Sequence, residues 1–102
     1  MTADSSKTPE EVLERTAAVL RVLGHADRLR LLEALGADRR LAVGELAERL
    51  HLAPNAVSQH LNLMLARRIV RKRRLGRRVH YEIDSAIARN LLRCLRRAGG
   101  EE

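Results

Sequence analysis

Four uncharged polar residues, Asn55, Ser58, Gln59 and Asn62, recur at i, i+3, i+4 and i+7. On a helix they line up as one stripe. Val57, Leu61 and Met64 recur at i, i+4 and i+7 and line up as a second, apolar stripe. Exposed helix faces commonly carry Lys and Glu, because charge is cheap in water. Amides and a hydroxyl instead donate and accept hydrogen bonds in fixed geometry, which is the chemistry that reading base edges requires. A solvated helix that happens to lack charge there is the plain alternative, and the stripe alone does not decide.

The residues that follow bear on that choice. Arg67, Arg68, Arg71, Lys72, Arg73, Arg74, Arg77 and Arg78 crowd into one short segment, and no acid interrupts them. The chain as a whole carries a formal net charge of +7. A solvated surface mixes signs, so this concentration points to a polyanion. A membrane surface is the competing polyanion, but the segment lacks the apolar helical face that lying on a bilayer requires. A nonspecific electrostatic patch is the simpler alternative. Cations on phosphates supply affinity and salt dependence, whereas contacts to bases supply specificity. Here charge and amides occupy separate segments, the division that a sequence-specific binder of double-stranded DNA needs.

Other chemistries are weaker. His25, His51, His60 and His80 are scattered over three elements and a turn, and no converging metal-ligand set is read from them. A metal site across a dimer interface, using Asp84 or residues of the first helix, stays open. A transition-metal effector is therefore possible, and no cofactor is required. Cys94 is the single cysteine, so no internal disulfide forms, which suits a reducing cytoplasm. It is read as a small buried core residue near Ile87 and Leu91. No Ser-His-Asp or Cys-His spacing, phosphate-cradling Gly loop or cleft-facing carboxylate pair is evident, and the chain reads as a non-enzyme. It shows neither an apolar leader nor a stretch able to span a bilayer, and a cytoplasmic protein is expected.

The elements that position these groups can be taken in order. With 102 residues the chain suits one domain, expected over 8–98, behind a disordered tail over 1–7. Tyr81 is the only aromatic, which argues against base stacking as the binding mode. Few bulky side chains in so small a chain favour a dimer that shares a core. Thr8-Pro9-Glu10-Glu11 predicts a helix start with Thr8 as cap, and Gly24 predicts its end. Asp27 predicts the next N-cap and Gly36 the next stop. Leu41-Ala42-Val43 reads as a short extended piece and Gly44–Leu50 as a short helix. His51-Leu52-Ala53 is the turn before the helix opened by Pro54. Two short helices joined this way make a helix-turn-helix.

After Ala66 the period changes. Val79, Tyr81 and Ile83 alternate with Arg78, His80 and Glu82, as a half-buried strand does, and Gly76 suits the turn of a β-hairpin. So charged a hairpin reads as a projecting arm. Asp84 or Ser85 caps a last helix, with Ile87, Leu91 and Leu95 on one side and Gly99-Gly100 at its end. The fold class is mainly α (α+β): a winged helix-turn-helix of about five helices and one hairpin.

The stretches Leu23–Leu32, Gly44-Glu45-Leu46-Ala47, Ala56-Val57-Ser58-Gln59-His60-Leu61 and Gly76-Arg77-Arg78-Val79-His80-Tyr81 occur in this order and spacing. Over about residues 10–97 the chain thereby resembles the ArsR-type (arsenic-repressor, ArsR/SmtB) family of bacterial winged-helix regulators. The resemblance implies a homodimer joined through its first and last helices, here Leu13, Ala17 and Leu20 with Ile87, Leu91 and Leu95. It implies a recognition helix in the major groove, with Asn55, Ser58, Gln59, His60 and Asn62 facing the DNA. It implies a wing, with Lys72, Arg73, Arg74, Arg77 and Arg78 on the backbone or minor groove. It also implies release from operator DNA by a metal ion or another signal.

The chain departs from the family where signals are sensed. Ala42 and Gly44 stand where the family's Cys-x-Cys thiolate site would be. Asp84 is followed by Ala86 where a His is expected, and no His follows His80. Ala42 and Ala53 also replace the Ser or Thr expected at two helix N-caps, each costing on the order of 1 kcal/mol. The function expected is a sequence-specific, operator-binding repressor. The alternatives are a sequence-tolerant architectural DNA binder and a winged-helix protein-interaction module.

Overall fold

The computed structural model describes residues 8–37 and 40–100. The expected disordered tail over 1–7 lies outside them. The chain runs α1 (Glu10–Leu23), α2 (Ala26–Ala37), α3 (Val43–Leu50), α4 (Pro54–Ala66), β1 (Val70–Leu75), β2 (Arg78–Ile83) and α5 (Ala86–Gly100). This is five helices and one antiparallel hairpin, as the periodicities predict.

Each element buries one stripe against a shared centre. Leu31, Leu32 and Leu35 come from α2, Leu46 from α3, and Val57, Leu61 and Met64 from α4. Ile69 and Val70 enter at the root of the hairpin, and Ala88 and Leu92 close the core from α5. Full burial of a Leu or Met side chain contributes roughly 1.5–3 kcal/mol. This apolar stripe of α4 therefore fixes which way its opposite side points.

Five boundaries differ from expectation, the slightest being Val43, which is read as extended but opens α3. Pro9, not Thr8, occupies the N-cap of α1, and its carbonyl accepts from the amides of Val12 and Leu13. His25 precedes α2, and its Nδ1 accepts from the Asp27 amide at 3.1 Å, so Asp27 lies inside the first turn. Gly36 lies within α2, one residue before its end at Ala37, and a Cβ there would press on Cδ2 of Leu92 on α5. At the far end α5 continues through Gly99 and Gly100. Its start follows the reading, for Ser85 Oγ accepts from the Ala88 amide at 3.1 Å.

The helix-turn-helix is closed by backbone bonds. The Leu52 amide reaches the Ala47 carbonyl at 3.0 Å and the His51 amide the Glu48 carbonyl at 3.4 Å, with His51 at φ 57°. Arg68, at φ 56°, closes α4 the same way, with the Ile69 amide on the Met64 carbonyl at 2.9 Å. Both are the left-handed helix ending that satisfies orphan carbonyls.

The hairpin pairs Val70 with Ile83, Lys72 with Tyr81, Arg74 with Val79 and Leu75 with Arg78. Gly76 takes φ +62° at the first position of the two-residue loop, where a hairpin turn needs a residue tolerant of positive φ. The Tyr81 amide donates to the Leu41 carbonyl at 3.1 Å, which pins the hairpin's root to the extended piece before α3. Strict alternation fails midway along β2, where His80 pairs with Arg73. His80 is buried along with Tyr81, although the strand pattern places it on the solvent side. Beyond the root the arm projects: every residue from Arg71 to Arg78 is exposed.

Candidate nucleic-acid interface

With Val57, Leu61 and Met64 fully buried, the other side of α4 faces solvent. Asn55, Gln59 and Asn62 are exposed and Ser58 is half-buried at the edge of their stripe. Leu63 shares the exposed side. Pro54 fills the first helical position, where a missing N–H costs nothing, and Ala53 makes no side-chain cap. The amides at this end of the helix are therefore left to other partners.

His60 stands apart from the stripe. At about 100° per residue it lies roughly 100° around the helix from Gln59. Its ring is half-buried and meets His25 edge-on, with ring centroids 4.8 Å apart. Arg28 Nε donates to His60 Nδ1 at 3.2 Å, and Arg28 Nη1 donates to the Val22 carbonyl at 3.0 Å. One guanidinium thus joins the end of α1, the start of α2 and the middle of α4. Burial, then the positive charge of Arg28, pushes the His60 pKa down and keeps the ring neutral, as a hydrogen-bond acceptor.

The hairpin's cations divide into two groups. Arg71 pairs with Glu82 at 2.6 Å and approaches Asp84 at 3.8 Å, while Arg73 reaches the same Glu82 oxygen at 3.2 Å. The hydrogen bond from Arg71 leads in holding the Glu82 carboxyl below its ordinary pKa. Arg78 donates to Glu45 on α3 and, at 3.2 Å, to the Arg40 carbonyl. Glu45 also accepts from the Ala42 amide at 2.9 Å, which lowers its pKa first, with Arg78 second. Glu45 thereby supplies half of a capping box where Ala42 cannot cap. Lys72, Arg74 and Arg77 are exposed and have no ion pair among the described residues. They form the unengaged tip.

Sequence reasoning missed the Arg28 link and the ties of Arg71, Arg73 and Arg78. Only the Glu45-to-Ala42 spacing of three residues carried a readable signal.

The surfaces expected to meet a second copy are apolar and open. Leu13, Leu20 and Leu95 are 51, 46 and 41 % exposed. Ala17 is exposed, and Ile87 and Leu91 are half-buried. Cys94 is exposed, contrary to its reading as a core residue, because Ala88 and Leu92, not Ile87 and Leu91, form the inward side of α5.

The family's familiar metal positions lack their donors in this chain. Ala42 and Gly44 offer no donor, and Asp84 lies beside Arg71 with no imidazole nearby on α5. Among the described residues no helix is long and apolar enough to cross a membrane.

A short uncharged helix held out from a helix-turn-helix, beside a two-stranded arm of arginines, defines a winged helix-turn-helix protein. Comparison with known proteins gives the same class: the model of a helix-turn-helix domain family matches residues 23–73. The chain is 36 % identical over 94 residues to the HTH-type transcriptional regulator KmtR of Mycobacterium tuberculosis, covering 90 % of this chain and 72 % of that one. It is 35 % identical over 80 residues to a transcriptional repressor SmtB homolog of Synechocystis, covering 78 % of this chain and 60 % of that protein. Among solved structures, HlyU from Vibrio cholerae superposes with a TM-score of 0.80 at 29 % identity, covering 88 % of this chain and 97 % of that one. The chain belongs to the ArsR/SmtB family of winged-helix transcriptional regulators. That is a family of DNA-binding regulators and not of enzymes.

Proposed function

We propose that the chain works as a homodimer on pseudo-palindromic operator DNA and represses the genes beside it. The observation that carries this reading is the separation of groups between two neighbouring elements. An uncharged, hydrogen-bonding stripe on α4 lies exposed, and the cations gather on the neighbouring hairpin. In this reading Asn55, Ser58, Gln59 and Asn62 contact base edges. Lys72, Arg74 and Arg77 hold phosphates, Arg73 assists them, and Arg78 anchors the arm to α3. His60 supports the reading helix from its flank. Leu13, Ala17 and Leu20 of one protomer pack with Ile87, Leu91 and Leu95 of its partner. The two recognition helices then meet successive major grooves about 34 Å apart.

Selection of a preferred duplex from a random pool, followed by competition against bulk DNA, tests this. An operator-binding regulator prefers its site by at least about a thousandfold. Equal binding to selected and random duplex would make it an architectural binder instead.

A further inference from the structure

His25, Asp27 and His60 come from the lead-in to α2, its first turn and the middle of α4, yet their donor atoms all lie within 4.8 Å of one another. We propose that these three residues form a binding site for a borderline divalent cation of the Zn²⁺, Co²⁺ or Ni²⁺ class, and that its occupation releases Arg28 from His60.

The donor set fits that class. Two imidazoles and one carboxylate suit borderline metals, with solvent completing the coordination. Bond lengths of about 2.0–2.2 Å place donors of a tetrahedral ion roughly 3.3–3.6 Å apart. The cluster must therefore tighten by about an ångström or more. His25 is exposed, so its ring has room to move inward once its bond from the Asp27 amide is given up. Asp27 gives one oxygen to Arg30 at 2.7 Å and keeps the other. His60 Nδ1 accepts from Arg28 Nε and so already presents an imidazole lone pair toward the cluster's edge.

The consequence for Arg28 follows from proton counting. A neutral imidazole has one lone pair. In the metal-free protein His60 Nδ1 uses it to accept from Arg28 Nε. A metal on Nδ1 displaces Arg28 directly. A metal on Nε2 requires the proton on Nδ1, where it faces the Arg28 N–H. Either way the bond is lost, and His25 loses its bond from the Asp27 amide by the same argument. Arg28 is also the side chain that reaches the end of α1. Metal binding would thus uncouple the recognition helix from the helix that carries Leu13 and Leu20. With Arg28 and Arg30 both nearby the site opposes a cation's charge, so only moderate affinity is expected.

The site is tested without DNA. The full chain, stripped with chelator, is titrated with Co²⁺ alone and followed by absorption. The expected result is one ion per protomer, with ligand-field bands and no thiolate charge-transfer band. In His25→Asn, which keeps an acceptor for the Asp27 amide, binding weakens at least about tenfold. In His51→Asn, on the turn before α4, it is unchanged. Absence of saturable binding, full binding by His25→Asn, or a thiolate band from Cys94 would each overturn the site.

The regulatory part rests on the operator-binding reading above. Zn²⁺ is expected to weaken binding to a selected duplex about five-fold or more in the wild type and not in His25→Asn. Unchanged affinity with the site filled would overturn the coupling. No selected duplex without metal would instead sink the operator reading, and the Co²⁺ titration would still decide the site.

Discussion

Arg78, at the first position of the returning hairpin strand, donates to Glu45 in the first turn of α3. Glu45 also holds the Ala42 amide at 2.9 Å. One carboxylate therefore caps the helix that opens the helix-turn-helix and ties down the arm beside it. This tie is expected to orient the wing more than to stabilise the fold, since both side chains are about half exposed.

The tie has a pH signature. Glu45 titrates below its ordinary 4.5 in the folded chain. A depressed carboxylate contributes stability above the unfolded value, and that contribution is lost as pH falls through the folded one. Glu45→Gln should therefore melt slightly below wild type at neutral pH. The difference should close in the acid range below 4.5. Thermal unfolding followed by circular dichroism across pH checks it, and a gap that widened in acid would contradict the tie.

Glu82 restrains two arginines of the wing, Arg71 and Arg73. Replacing it with Gln should free both for phosphates. Binding to random duplex should tighten, and the slope of log affinity against log salt should steepen by up to about two, roughly 0.9 for each arginine that reaches a phosphate. A fluorescence-anisotropy salt series measures this. An unchanged slope would show that neither arginine comes near the backbone.

The unengaged tip gives the opposite result. Arg77→Ala should weaken selected and random duplexes alike and reduce the salt slope by roughly one. The same titrations read it. Loss confined to the selected duplex would give the wing a base-reading role.

Leu13, Leu20 and Leu95 are large apolar side chains left in water by the single chain. If they pack against a partner, Leu20→Glu would bury an unpaired charge and should yield monomers, because such burial costs several kcal/mol. Sedimentation velocity distinguishes the two states. A dimer that survives the substitution would place the interface elsewhere.

The helices were legible because their apolar spacing is strong. The stripe of Val57, Leu61 and Met64 set the orientation of α4 without coordinates, and the change to alternation after Ala66 announced the hairpin. The boundaries were less legible where a distant contact overrides a local rule. Gly36 has the residue type of a helix stop, but it serves the close approach of Leu92. His80 follows the strand pattern of a solvent residue, but it is buried midway along the hairpin. His25 and His60 are far apart in sequence, and no local period brings them together. Only the contact of the lead-in and first turn of α2 with the middle of α4, through the His25 ring and Arg28, does. The ties among arginines and carboxylates were equally hidden, since a run of like charges in sequence does not say which members find an acid in space.

The central claim is that α4 chooses the DNA site and the hairpin holds it. Equilibrium titration of Gln59→Ala against the selected duplex and against single-base variants of it tests this most directly. The expected result is a loss of about 1–3 kcal/mol on the selected duplex, relaxed discrimination at one base pair, and no change on random DNA. A variant that keeps wild-type affinity and wild-type base preference would contradict it.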